Sequence, residues 1–80
     1  MNWELFTDVM VAYDIPGHWL KRGDIVKLVD RHVAPDGTLG YSIEIFNAVG
    51  DTIAVTTVPD SALEPLNENE VLCARLLNVA

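Results

Sequence analysis

Leu39-Gly40-Tyr41-Ser42-Ile43-Glu44-Ile45-Phe46 carries the cleanest alternation in the chain, with Tyr41, Ile43 and Ile45 on one side and Ser42 and Glu44 on the other. A period of two is the repeat of a half-buried strand, so this segment predicts β structure with one face turned to a core. Just upstream, Ala34-Pro35-Asp36-Gly37 joins a proline that pre-sets one dihedral to a glycine that supplies a positive one, the chemistry of a tight reversal. Ile25 to Val33, rich in β-branched residues, forms the other arm of that hairpin. Downstream, Asn47 to Asp51 contains Gly50 and reverses the chain into Thr52 to Val58, and Pro59 ends this strand.

Farther out, Leu5, Val9, Val11 and Tyr13 fall on odd positions while Asp8 and Asp14 take even ones, which predicts a first strand from Leu5 to Tyr13. Phe6, Met10 and Ala12 interrupt that alternation. Pro16-Gly17 opens a long first loop through His18, Trp19, Leu20, Lys21 and Arg22 to Gly23. After Pro59, Asp60 to Leu63 predicts one helical turn, and Glu64-Pro65-Leu66 a brief last strand at a sheet edge, where proline is tolerated. A flat sheet of these pieces would leave its apolar face uncovered. The expected fold is therefore mostly β, a small SH3-like barrel of about five antiparallel strands over residues 1–66.

Residues 67–80 read differently. Asn67 and Glu70 have capping-box spacing, and neither Gly nor Pro follows, so a C-terminal helix is expected. At helical spacing Leu72, Cys73, Leu76, Leu77 and Val79 share one apolar face. That face needs a cover: the chain's own barrel, or a second copy in a symmetric dimer, with Trp3 and Phe46 as candidates for the groove.

Eighty residues provide material for one small domain. Half of them are hydrophobic and 21% are charged, a globular rather than a disordered composition. Twelve acidic against five basic residues give a net charge of −7, a field that repels phosphate backbones and anionic lipid and suits a basic partner. Lys21, Arg22, Lys27 and Arg31 cluster within this field, but the surplus carboxylates offer them intramolecular pairing, which the charge favours over RNA binding. A single Cys73 forms no internal disulfide, the opening Met1-Asn2-Trp3-Glu4 lacks a basic start and apolar run, and no apolar stretch reaches membrane-spanning length. A reduced, cytoplasmic setting is expected.

No recognised catalytic motif appears. Ser42, Ser61, Cys73, His18 and His32 are the usual candidates, yet there is no nucleophile elbow, no glycine-rich phosphate loop and no paired-histidine zinc helix. His18 and His32 with Asp30 match no metal-ligand spacing, and Asp24 and Asp30 read as solvated charge, so no catalytic residue, metal or cofactor is expected. His18, Trp19 and Leu20 stand out instead, because proline and glycine hold a large aromatic in a first loop where small barrels carry recognition residues. The competing reading has Trp19 or Leu20 folding back to plug the barrel. In the tail, Leu72, Leu76 and Leu77 would be the docking anchors.

The sequence "TDVMVAYDIP" (7–16), then "GHWLKRGDIVKLVD" (17–30), "PDG" (35–37), "YSIEIFNAVGDT" (41–52) and "IAVTTVPDSALEPL" (53–66), in that order and spacing, resembles a family of small bacterial proteins catalogued as a domain of unknown function, number four-nine-two-six. The resemblance implies a compact SH3-like domain without established catalytic residues. It further implies a neighbour of toxin genes, hence an immunity or antitoxin-like partner. The tail from Asn67 lies outside it. The leading expectation is a non-enzymatic protein–protein interaction module. Beside it stand a structural accessory subunit of a larger complex and, against the net charge, a nucleic-acid-binding small barrel.

Overall fold

The computed structural model describes residues 3–76. Five strands run in chain order: β1 (Asp8–Val11), β2 (Ile25–Val33), β3 (Leu39–Phe46), β4 (Thr52–Pro59) and β5 (Leu63–Glu64). All neighbours are antiparallel, in one sheet of order β4-β3-β2-β1-β5. A 3-10 turn, Pro16–His18, lies in the first loop and another, Asp60–Ala62, joins β4 to β5.

That last connection dictates the shape. β4 and β5 are the two edges, separated in a flat sheet by four strand spacings, about 19 Å. The three residues Asp60–Ala62 wound as a 3-10 turn cover only about 8 Å from Pro59 to Leu63. The sheet therefore curls until its edges approach at this corner, although no ladder closes β4 onto β5 among the described residues.

Curling turns one face into the core. Val9, Val11, Val26, Leu28, Tyr41, Ile43 and Val58 point inward from the strands, and Leu20, Ala62 and Leu63 fill the ends. Burying a side chain such as Leu28 or Ile43 contributes about 1.5–3 kcal/mol. A bulge at Val29, where Leu28 faces Ile43 but Asp30 faces Ser42, bends β2 so that its first half serves β1 and its second half only β3. The Tyr41 hydroxyl accepts the Trp3 amide N–H at 2.9 Å and ties the chain start to the sheet.

Met10 explains the blurred alternation of β1. It sits on the face opposite Val9 and Val11, yet it too is buried, because the tail crosses that face. Met10, Ile25, Leu66, Val71 and Leu72 line a shallow groove of about 230 Å³ there.

The tail itself corrects the expectation of a helix. Glu70 Oε1 does accept the Asn67 backbone N–H at 2.8 Å, the reach-back half of a capping box, but only a single turn follows and residues 71–76 are non-helical. A lone helix of this length is marginal in water, so tertiary contacts decide. Here Arg75 reaches the first loop and the chain stays drawn out along the sheet. Consequently Leu72, Cys73 and Leu76 share no helical face, and Leu77 and Val79 lie outside the described residues. Trp3 packs on the core instead of forming a groove for the tail, and Phe46 lies under the Lys27 ammonium, 5.8 Å from the ring centroid.

Candidate functional site

The first loop is built to hold Trp19 in place. Leu20 is 2% exposed and anchors the loop in the core, with the Ile15 N–H donating to its carbonyl at 2.8 Å. One residue earlier the backbone is left-handed, φ +58° at Trp19, a conformation costing about 1–2 kcal/mol for a side chain with a Cβ. Strain of this kind persists only where the surroundings over-determine it. Burying Leu20 while presenting Trp19, 50% exposed, is what this kink accomplishes. The two readings of the loop are thus divided between neighbours: Leu20 plugs the core and Trp19 faces out.

Carboxylates stitch the rest of the loop. Asp14 accepts the Arg22 amide N–H and Asp24 accepts that of Lys21, both at 2.9 Å. Gly23 donates its N–H to Val11 at 2.8 Å with φ +94°. His18 shares a hydrogen bond of 2.9 Å between Nδ1 and the Thr56 hydroxyl, docking the loop on β4.

Arg75 completes the site from the far end of the chain. Its Nε donates to Asp24 Oδ1 at 2.7 Å, its Nη2 to Asp24 Oδ2 at 2.5 Å, and the same Nη2 to the Trp19 carbonyl at 2.7 Å. Partial burial by itself pushes the Asp24 carboxyl up, but the Arg75 guanidinium and the Lys21 amide outweigh it and hold the group below its ordinary value. Asp24, read from the sequence as solvated charge, is the hub of the loop. Contact order hid this: nothing in local spacing joins residues 24 and 75.

The remaining sequence candidates are scattered. Leu72 and Leu76 are 67% and 94% exposed, and Leu72 borders the groove over Met10. Of the basic cluster, Arg22 pairs with Glu64 at 3.9 Å and Lys27 rests on Phe46. His32 and Ser42 do meet on the outer face, Nε2 to Oγ 2.7 Å, with Thr57 3.3 Å beyond. Asp30 lies 4.0 Å from that same Nε2, whereas an orienting carboxylate in a triad binds the other ring nitrogen. His18 and His32 are held by different partners, and no group of metal-ligating side chains occurs among the described residues. Nor is any helix among them long and apolar enough to cross a membrane.

No curated protein and no solved structure matches the chain. A family model does: the one described as a domain of unknown function, DUF4926, over residues 5–65, which takes in every strand and both 3-10 turns and stops short of the Arg75 strap. By that match the chain belongs to the DUF4926 family.

Proposed function

We propose that this protein is a non-catalytic interaction module of SH3-like type that works by binding another protein, as the immunity or antitoxin-like half of a pair. The observation that supports this reading is Trp19: a half-exposed aromatic on a strained backbone, braced by Leu20, His18 and Arg75. Preorganised aromatic anchors are the groups that carry most binding energy in protein interfaces, because little conformational freedom is left to lose on association. An acidic chain favours a basic partner and steers it at low salt.

The test is co-purification from native cells. A single stoichiometric protein partner is expected with the wild-type chain and is lost on Trp19→Ala, a surface change that leaves the core intact.

A further inference from the structure

The two edges of the sheet are protected unequally. β5 is two residues long and runs into Pro65, which blunts it. β4 is eight residues long, Thr52-Ile53-Ala54-Val55-Thr56-Thr57-Val58-Pro59, with no charged side chain, and its proline comes only at the last position. β3 is its one ladder neighbour, and no other backbone hydrogen bond reaches residues 52–59 among the described residues. Val55 is 59% exposed, and Ile53 is exposed as well. Natural sheets guard such an edge with lysine, an early proline or a covering loop. Here the first loop reaches β4 through a side-chain hydrogen bond between His18 and Thr56.

Charge says what the edge would accept. From His32 to Ala74 there is no Lys or Arg, while Asp36, Glu44, Asp51, Asp60, Glu64, Glu68 and Glu70 lie in that stretch. Asp51 and Asp60 bracket β4 directly. A second copy of the strand would bring its own bracketing aspartates toward these in an antiparallel pairing, and each copy carries a net charge of −7. An extended segment with basic ends meets the opposite field.

We infer that the free edge of β4 takes up an extended, basic segment of a partner protein as a sixth strand. Main-chain hydrogen bonds would supply the attachment, Ile53 and Val55 the side-chain contacts, and the acidic field around the strand the preference for Lys or Arg at the segment's ends. The inference rests on the reading of the chain as a binding module but uses a surface other than Trp19.

The probe is a short synthetic peptide alternating valine and threonine with a lysine pair at each end, titrated into the full-length protein and followed by amide exchange and chemical shifts. Expected are protection and shifts concentrated on residues 52–59, weakening with salt. Loss of binding when alternate peptide amides are methylated is expected too, as is an effect of about tenfold or more on Val55→Lys, which sets a like charge on the edge. Binding should survive Trp19→Ala, so failure of the loop reading and failure of this one are separable. No shifts on β4, equal binding of the methylated peptide or of one ended by glutamates, or concentration-dependent pairing of two protein copies through β4 would each overturn the proposal.

Discussion

Arg75 closes on Asp24 across 51 positions of chain, with two guanidinium nitrogens on the two carboxylate oxygens at 2.7 and 2.5 Å. The same Arg75 reaches the Trp19 carbonyl, so one side chain straps the tail to the loop that displays the exposed aromatic. Bidentate pairing fixes orientation as well as distance, which a single ammonium contact would not.

Arg75→Met keeps much of the aliphatic stem and removes the fork. Because both partners keep solvent access, screening holds the expected loss to about 1 kcal/mol. For a domain of this size that is a fall of roughly 4–8 °C in Tm. Limited proteolysis should show residues 66–76 cut faster while the sheet stays intact. Wild-type behaviour in both assays would mean that the strap contributes nothing.

The strap also has a pH signature. Asp24 titrates below its ordinary value of 3.8 when folded, so its stabilising contribution is fully present above that value and is lost as pH falls through the lower folded one. Protection of the first-loop amides, taken relative to their intrinsic exchange at each pH, should therefore be indifferent to this group from about pH 7 to pH 5 and fall only in stronger acid. The Arg75→Met protein, left with the Lys21 amide alone on this carboxylate, should show a smaller Asp24 part of that acid dependence; an identical acid profile in both proteins would contradict the assignment.

Leu20→Ala is expected to cost about 2–5 kcal/mol, as for other large-to-small core changes. Against a total of roughly 4–12 kcal/mol for a chain of this length, that is a large share. Denaturant titration reads it. Trp19→Ala, at the adjacent position, should change the midpoint far less, since half of that side chain is already in water. Equal losses would dissolve the division of labour between the two.

Gly50 sits at φ +89° with open space where a Cβ would go, so Gly50→Ala meets backbone strain alone and should cost about 1 kcal/mol. Gly17 has the same open space without a positive φ, and Gly17→Ala should be near neutral. Thermal unfolding of the pair separates the two effects, and similar shifts would refute the backbone account.

Much of the sheet was legible because its signals are local. β2 and β3 match their sequence readings at both ends, β4 runs one residue longer, and the single turn at Asp60 stands where expected. β1 is shorter than Leu5 to Tyr13, since Phe6 turns to φ +64° and Met10 faces the tail. Leu20 reads from the sequence both as a recognition residue and as a plug folding back on the barrel, since alternation does not extend into loops; its burial, beside the bridge to Ile15, fits the second. The tail misled for the opposite reason. Asn67 and Glu70 do make one capping contact, but helix propensity over so few residues is weaker than the pull of Asp24 on Arg75. Trp19 was legible as a candidate from proline, glycine and bulk, whereas its brace was not, because it is assembled from residues 18, 20, 56 and 75.

The most direct measurement is site-specific photo-crosslinking in native cells, with a benzophenone side chain placed at Lys21 beside the Trp19 loop and, as control, at Pro35 in the exposed β2–β3 turn. A binding module working through this loop predicts one discrete adduct to a single protein from position 21, absent when Trp19→Ala is added, and none from position 35. No adduct at position 21, or the same adducts from both positions, would contradict it.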